Sequence, residues 1–420
     1  MPNRPVRIAL GLGAWAALVP CAWAQEPVKP LPPPDAAVEP RQPAEPLVAT
    51  PAKRSGAATP LPRWTTSLTL SGGYDSNVDL LPAHLGRKDF SGQLKASVKG
   101  HFAPKSWHVV LGGDGGILLY RKLSDYNALP FGGSLSAGGE ISRRTRLATE
   151  LDYRHDYNRN MASFVDAGLV ANNVLTSTAL ATVGLAQQVV HRVSLVADAS
   201  YRRISFQDEL QPEGDTLSLS ARLEWKPDET DRVSLYYVHR RERSRGYAGS
   251  NNDETRISWE RRLTGTLDTA LFAGFGRAQL LDGPRTVTSP SAGARLDGRY
   301  GRHQVSGSYE HSLLQAYGLG RSLFFDTITL NEGYAMTPRL SVFIRGSLSR
   351  ASDPVDATYR LDGEGVNGTL ALRVSPRRTV RASYSYWTRR ESGGLAFGSH
   401  VVELSLRYER SSEALVREGR

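Results

Sequence analysis

The sequence predicts an all-β protein, a transmembrane antiparallel up-and-down β-barrel of about sixteen to eighteen strands. Two observations carry this prediction. Apolar and polar residues alternate strictly over long segments, and the connectors between those segments are alternately short and long. A third observation, an export signal at the N-terminus, agrees with them.

The first residues have the organisation of a secretory signal peptide. Arg4 and Arg7 give a positive start, and residues 8–19 are apolar but too few to span a bilayer. The run ends in the small-residue pattern Ala-Trp-Ala, so we expect cleavage before Gln25. Residues 1–24 are therefore predicted to be removed on export.

Residues 25–62 are rich in proline and contain no aromatic residue, so they cannot bury a core. We expect a disordered periplasmic linker here. The single cysteine, Cys21, lies in the predicted signal peptide. The mature chain therefore has no thiol for a disulfide or for thiolate chemistry.

Period-two alternation is clearest in residues 90–102, where apolar residues and glycines take the even positions and polar residues the odd ones. Eighteen segments of this kind follow one another along the chain. They start near residues 64, 89, 106, 131, 145, 174, 191, 215, 231, 252, 266, 286, 302, 321, 339, 363, 378 and 397. Those near 106, 231 and 321 alternate least cleanly, which leaves sixteen strands open. The barrel is predicted over 63–410, with a tail over 411–420.

The connectors differ in length on the two sides of the predicted sheet. Short connectors fall at 103–106, 143–146, 226–232, 300–303, 337–339 and 375–378. Longer ones, rich in Gly, Asp, Asn, Pro and Ser, fall at 75–88, 121–130, 158–173, 206–214, 243–252, 351–363 and 389–397. Short periplasmic turns and long extracellular loops are typical of bacterial outer-membrane barrels. Loops 158–173 and 351–363 are candidates to narrow or gate a pore.

The apolar face of the predicted sheet has no helical or second-layer sequence to cover it, so we expect lipid to cover it. Aromatic residues near the strand ends fit interfacial girdles; they are Trp64, Phe102, Trp107, Trp225, Tyr300, Tyr384, Tyr386 and Tyr408. The predicted location is the cell outer membrane. The expected partners are outer-membrane lipid, lipopolysaccharide and the barrel-insertion machinery.

Parity assigns the polar face to the lumen. The predicted lumen-lining residues are Asp75, Lys95, Lys99, Arg222, Glu224, Arg256, Arg295, Asp297, Arg299, Arg345, Arg373, Arg381 and Arg407. Bases outnumber acids on this face, and the formal net charge of +10 for the chain has the same sign. Two interpretations stay open, a basic lumen that enriches anions and a ladder of mutually neutralising charges without selectivity.

Catalysis and metal binding find little support in the sequence. A serine and histidine on one strand face need a spacing of two, and no histidine is followed by serine at that spacing. No His/Cys cluster has zinc spacing, and the stretch from Asp75 to Asp79 lacks the glycine and distal glutamate of a calcium loop. Basic residues recur without a recognition helix, so nucleic-acid binding is not expected. We expect no enzyme and no cofactor.

The stretch "GGYDSNV", residues 72–78, follows the first predicted strand. It resembles the opening of a porin-like outer-membrane β-barrel family encoded with exopolysaccharide operons. More distantly it is similar to the barrels of surface-lipoprotein assembly modifiers and to secretion barrels fused to tetratricopeptide domains. Those two have an N-terminal helical repeat domain where this chain has residues 25–62, which favours the porin-like family. The resemblance implies passage or export of polysaccharide.

The predicted function is an outer-membrane channel of porin type that passes anionic solutes or exported polysaccharide. With sixteen to eighteen strands, such a barrel leaves an aqueous channel unless a segment plugs it. The alternative is a non-conducting assembly, translocation or structural barrel that works with a periplasmic partner. In either case Asp75 is expected at the pore mouth, where a strand gives way to a loop.

Overall fold

A computed structural model describes most of the chain after residue 62. The described residues are 63–80, 85–103, 106–157, 174–207, 213–245, 247–280, 286–316, 321–354, 356, 358–392, 394 and 396–412. The predicted signal peptide 1–24, the predicted linker 25–62, the loop 158–173 and most of the predicted tail 411–420 lie outside them.

Eighteen β-strands and one short 3-10 turn make up the described structure. The strands are β1 (Arg63–Asp75), β2 (Asp89–Phe102), β3 (Trp107–Tyr120), β4 (Phe131–Glu140), β5 (Thr145–Tyr157), β6 (Leu175–Val190), β7 (Val193–Phe206), β8 (Gly214–Trp225), β9 (Asp231–Ser244), β10 (Tyr247–Thr264), β11 (Leu267–Leu280), β12 (Thr286–Tyr300), β13 (His303–Ala316), β14 (Arg321–Ala335), β15 (Leu340–Ser352), β16 (Arg360–Ser375), β17 (Arg378–Glu391) and β18 (Ala396–Ser411). The 3-10 turn is Ser124–Tyr126.

Each strand pairs antiparallel with the next one along the chain, and β18 pairs with β1 to close the barrel. The predicted up-and-down barrel is therefore confirmed, with eighteen strands. The segments of weak alternation form β3, β9 and β14, which are full members of the ladder. In β3 the weak alternation has a simple cause, because Gly112, Gly113, Gly115 and Gly116 have no side chain to mark either face.

The connectors are sorted by side, as the sequence predicts. One end of the barrel has short turns such as 191–192, 265–266 and 376–377, and the other has longer loops such as 76–88 and 121–130. We call these ends the turn side and the loop side. By the usual orientation of such barrels, the turn side faces the periplasm and the loop side faces outward.

Three loops are shorter than the sequence predicts. The expected loops 243–252, 351–363 and 389–397 reduce to links of 245–246, 353–359 and 392–395. Their remaining residues extend the flanking strands. Polar residues that favour turns in isolation stay in the ladder here, because a neighbouring strand already offers hydrogen-bond partners for their backbone.

The outer face of the barrel is a band of exposed apolar side chains. Leu330 and Leu404, for example, are 62% and 59% exposed. Exposed aromatic residues border this band on the turn side (Trp64, Trp107, Trp225, Tyr300 and Tyr408) and on the loop side (Phe90, Phe131, Tyr153, Tyr201, Tyr237, Phe275, Tyr309 and Tyr384). Aromatic girdles on both sides of an apolar band mark the two interfaces of a membrane. Such a band needs lipid around it, which places the barrel in the outer membrane. Among the described residues, no helix is long and apolar enough to cross a membrane.

Candidate functional site: the inner wall and the mouth

The strand register defines one continuous inner face. Ser67 of β1 pairs with Ser97 of β2 and with Glu409 of β18, whereas Leu68 beside it pairs with Ala96 and Tyr408. Residues paired across an antiparallel ladder share a face, so the polar set and the apolar set remain separate around the closed sheet. The inner face consists mainly of Ser, Thr, Gly and charged residues.

The thirteen predicted lumen residues all occupy inner-face positions of this register. Strand β8 carries Arg222 and Glu224, β10 carries Arg256, β12 carries Arg295, Asp297 and Arg299, and β15 carries Arg345. Strand β2 carries Lys95 and Lys99, β16 carries Arg373, β17 carries Arg381, β18 carries Arg407, and β1 ends with Asp75. Their surroundings differ strongly from one side of the barrel to the other.

On one side, opposite charges pair directly. We call the inner face of β8 to β13 the paired arc. Arg222 contacts Glu224 at 2.6 Å, two residues further along β8. Arg295 contacts Asp297 in the same way on β12, at 2.6 Å. Two residues further along a strand is the next position on the same face, so each such pair is built by local sequence alone.

The most buried pairing in this arc is a charge cluster centred on Glu254. This carboxylate is 6% exposed and contacts the guanidinium groups of Arg256 at 2.5 Å and of Arg240 at 3.3 Å. Arg256 also approaches Glu310 at 3.5 Å and lies over the ring of Phe272, 4.5 Å from its centre. The cluster joins β9, β10, β11 and β13 inside the barrel.

On the other side, hydroxyl side chains separate the cations. We call the inner face of β16, β17, β18, β1 and β2 the basic arc. Thr379 pairs with both Arg373 and Arg407, and Thr69 pairs with both Arg407 and Lys95. Cations thus stand on alternate strands of a single row, roughly 10 Å apart. Arg381 lies on the next row, between Ala371 and Ser405.

The basic arc is only partly neutralised. Arg407 pairs with Glu409 at 2.8 Å, and Lys95 pairs with Asp114 of β3 at 2.7 Å. Arg373 and Lys99 are exposed, and neither makes an ion pair within the described residues. The register also adds inward carboxylates, on other strands such as Asp198 and Glu242 and within this arc such as Glu391 and Glu403, so the excess of bases is smaller than the sequence predicts.

Asp75 occupies the mouth, but it is not open to solute. The side chain is 2% exposed, and its Oδ1 accepts hydrogen bonds from the backbone of Asn77 at 2.8 Å and from Ser399 Oγ at 2.5 Å. A carboxylate held in this way orders the turn that follows it. Asp75 therefore belongs to the seam of the barrel, where the first strand meets the last.

The rest of the "DSN" stretch strengthens the same seam. The Ser76 amide donates to the carbonyl of His400 at 3.0 Å, and the His400 amide donates to Ser76 Oγ at 2.8 Å. Asn77 Nδ2 donates to the carbonyl of Gly398 at 2.9 Å. At Gly86, an added Cβ would stand 2.4 Å from Asn77 Oδ1, which explains glycine there. The stretch is a clasp that ties β1 to β18.

Beyond the clasp, the loop after β1 bends into the mouth. Val78 is fully buried and packs in one cluster with Leu118, Tyr120 and Tyr157. Leu118 and Tyr120 occupy inner-face positions of β3, so the loop covers the inside of the wall there. We call residues 76–80, 85–88 and 121–130 the cap.

An ion pair between the buried carboxylate of Asp79 and the largely exposed side chain of Arg87 holds the cap together. Arg87 donates from Nε and Nη2 to the two carboxylate oxygens of Asp79, at 2.7 and 3.0 Å. Burial by itself would raise the pKa of Asp79, but hydrogen bonds from Arg87 and Tyr126 outweigh it, and the pKa lies below its ordinary value. Burial and the Asp79 carboxylate raise the pKa of Tyr126 to about 12.

The second loop of the cap, 121–130, is anchored by backbone groups. Asp89 Oδ2 accepts hydrogen bonds from the amides of Lys122 and Leu123, at 2.7 and 2.8 Å. Leu118 and Ala128 exchange two backbone hydrogen bonds, which folds the loop back on β3. The cap is therefore a built structure that narrows one side of the mouth.

The structure also brings together a serine and a histidine that sequence spacing misses. His155 Nδ1 and Ser177 Oγ are 2.8 Å apart on the outer face, across β5 and β6. The ring of His155 packs on Phe131, and within the described residues no carboxylate hydrogen-bonds to it. The pair thus lacks the orienting acid of a catalytic triad. Among the described residues there is also no group of three potential metal ligands.

Comparison with known proteins adds only weak similarities. No protein-family model matches this chain. No curated protein matches it either. Among solved structures it is similar to Pseudomonas aeruginosa OpdK with vanillate, with 11% identity, a TM-score of 0.48 and coverage of 83% of this chain and 98% of that one. P. aeruginosa OpdO is 15% identical, with a TM-score of 0.48 and coverage of 83% of this chain and 97% of that one. Acinetobacter baumannii OccAB4 is 11% identical, with a TM-score of 0.49 and coverage of 84% of this chain and 99% of that one. Similarities of this size say nothing about what this chain transports.

Proposed function

We propose that the protein is a passive outer-membrane channel. One observation carries this proposal: a closed ladder of eighteen strands encloses a face of hydroxyl, glycine and charged side chains. Barrels of this strand number are too wide for their inward side chains to fill. A polar wall around such a space is stable because water occupies it.

The solutes we propose are anions, including the charged segments of an exported polysaccharide. Arg373, Arg407 and Lys95 stand along one row, with Thr379 and Thr69 between them to donate hydrogen bonds. Arg407 and Lys95 each contact one carboxylate, whereas Arg373 is exposed and makes no ion pair within the described residues. Alternating charge and hydroxyl suits an anion that moves from one site to the next without being held tightly. The resemblance of residues 72–78 to porins of exopolysaccharide operons points to the same class of solute.

Planar-bilayer recording of the purified protein tests this function. Under a salt gradient, we expect a steady conductance and a reversal potential that favours anions. The double variant Arg373→Gln/Arg407→Gln reduces that preference, because it removes two cations of the row. Arg378→Gln is the matched control, since Arg378 pairs with Tyr408 and so lies on the outer face; it leaves the reversal potential unchanged.

The same recordings separate the proposal from its rivals. If the protein is silent in the bilayer, and also silent as an Asp79→Ala variant with its cap weakened, the channel proposal is wrong and a non-conducting assembly barrel is favoured. Acidic and neutral oligosaccharides of equal length then test the solute. Equal block of the current by both would show that charge does not select the solute.

A further inference from the structure

One sector of the outer surface carries a group of arginines above the loop-side aromatic girdle. The outward positions of β9 are, in ascending order, Leu235, Tyr237, His239, Arg241 and Arg243. On β7, Arg203 follows Tyr201 at the next outward position, and on β11, Arg277 follows Phe275. We call Arg203, Arg241, Arg243 and Arg277 the outer arginine patch.

The register places these four arginines within one sector of the barrel. Asp215 of β8 pairs with both Arg203 and Arg243, so the two guanidinium groups flank one residue of the intervening strand. Arg277 pairs with Asp253, which pairs in turn with His239. Neighbouring strands are about 5 Å apart and residues along a strand about 3.3 Å apart. Arg203 and Arg277 are four strands and four residues apart, about 23 Å, so the patch spans adjoining lipid headgroups.

The positive charge of the patch is only partly neutralised, although the carboxyl-bearing Asp215 stands in register between Arg203 and Arg243. Arg241 and Arg243 are exposed, and neither makes an ion pair within the described residues. Arg203 is 61% exposed and only approaches Glu213, at 3.8 Å. The carboxylate of Asp253 is already shared by Tyr237 at 2.7 Å and His239 at 2.9 Å.

The opposite sector differs at the same level. There Arg350 contacts Asp362 at 3.1 Å, and Arg360 contacts the same carboxylate at 2.9 Å. Asp326 on the neighbouring strand accepts from Tyr309 at 3.0 Å and lies 2.9 Å from His311. Arg390 also lies at this level, in register with Asp362. The two sectors thus differ in that Arg350 and Arg360 of the opposite sector contact a carboxylate closely, whereas Arg241 and Arg243 do not.

We propose that the outer arginine patch binds the phosphate groups of a phosphorylated glycolipid in the outer leaflet, that is, of lipopolysaccharide. Arg241 stands roughly 10 Å above the girdle tyrosine of its own strand, given the rise and tilt of barrel strands. Aromatic girdles mark the level where acyl chains give way to headgroups, so these side chains lie among the headgroups. Arginine pairs with phosphate through two parallel hydrogen bonds, and exposed arginines at a membrane surface attract anionic lipid.

Native mass spectrometry of the full-length protein in detergent, titrated with bisphosphorylated lipid A, tests this site. We expect the triple variant Arg241→Ala/Arg243→Ala/Arg277→Ala to bind lipid A at least about tenfold more weakly than the parent. Arg350→Ala/Arg390→Ala, which removes outward arginines from the opposite sector, leaves binding unchanged. Retention of the folded band in an unheated gel shows that both variants keep the barrel.

Three further titrations identify the source of the recognised phosphate. Lipid A stripped of its phosphates is expected to bind the parent as weakly as lipid A binds the triple variant. Phosphatidylglycerol and inorganic phosphate are expected not to displace lipid A at equal concentration. Equal binding of dephosphorylated lipid A, displacement by either competitor, or an unaffected triple variant would each overturn the proposed site. None of these outcomes depends on whether the barrel conducts.

Discussion

The two arcs of the inner wall use the same kinds of residue and differ in where the opposite charges stand. In the paired arc, Arg222 and Arg295 each meet an acid two residues further along the same strand. In the basic arc, Arg407 meets Glu409 in the same way, but Arg373 faces Thr379 and makes no ion pair within the described residues. The field of a barrel lumen therefore depends on where the carboxylates stand, both two residues away along a strand and on the neighbouring strand, and not on composition alone.

The difference between the arcs also concerns burial. Glu254 is enclosed by two guanidinium groups, whereas Arg373 is exposed. Removing one partner of an enclosed pair leaves a buried charge without compensation, while removing an exposed charge costs little. We therefore expect the paired arc to matter chiefly for stability and the basic arc chiefly for the choice of solute.

The largest expected effect is on the charge cluster. Glu254→Gln leaves Arg240 and Arg256 without their shared carboxylate and should lower the free energy of unfolding by about 3 kcal/mol. Urea unfolding in lipid vesicles, followed by tryptophan fluorescence, measures it. Asp297→Asn is the control, because its pair with Arg295 is more exposed, and it should cost less than about 1 kcal/mol. An equal loss of unfolding free energy in the two variants would show that burial does not distinguish the two ion pairs.

The next effect concerns the cap, where the buried carboxylate of Asp79 pairs with Arg87 outside the membrane. Asp79→Asn keeps the shape but loses the charge, which should weaken the cap by about 2 kcal/mol and raise the mean conductance and its noise. Single-channel recording measures both. Asp125→Asn, an exposed change in the same cap, should leave the trace as in the parent. An unchanged trace for Asp79→Asn would mean that the cap does not narrow the conducting path.

A smaller effect would convert the basic arc into a paired one. Thr379→Asp places a carboxylate between Arg373 and Arg407, and we expect the anion preference of the channel to fall by about half. Thr379→Asn, of the same size but uncharged, should keep the preference. Reversal potentials in a salt gradient distinguish the two variants. If both variants behave alike, the field of this row does not set selectivity.

The smallest effect is that of pH on the cap. The pKa of Asp79 is lower in the folded protein than its ordinary value. The stability that its charged form gives to the cap is therefore complete above about pH 4 and is lost as the pH falls through the lower folded pKa. We expect conductance noise to be constant from pH 7 to about pH 4 and to rise below it. The Asp79→Asn variant should show no such rise, and a rise already near pH 6 would point to a different group.

Much of this fold could be predicted from the sequence. Alternation located the strands to within a few residues and separated the two faces, because successive side chains on a strand point in opposite directions. Loop sorting predicts which end of the barrel faces outward. The exceptions have local causes: the glycines of β3 blurred its alternation, and polar residues such as Ser250 joined the ladder although they favour turns.

The candidate site was less predictable. Inward position follows from parity, and so do pairs two residues apart on one strand such as Arg222 with Glu224. Partners on another strand, often tens of residues away, do not follow from it. The sequence around Glu254 does not indicate that Arg240 and Glu310 lie in the same charge cluster. The sequence predicts that Asp75 faces the pore mouth. Its burial depends on Ser399, which only barrel closure brings beside it.

The sequence by itself determined that this chain forms a wide barrel with a polar inside and an apolar outside, because a period of two is a local property of an extended backbone. Only the tertiary structure decided which inward cations face a hydroxyl on the neighbouring strand and which face a carboxylate there. It also decided that the first loop folds into the mouth. These outcomes depend on which residues stand opposite each other after eighteen strands close into a ring, and that register is a property of the whole sheet.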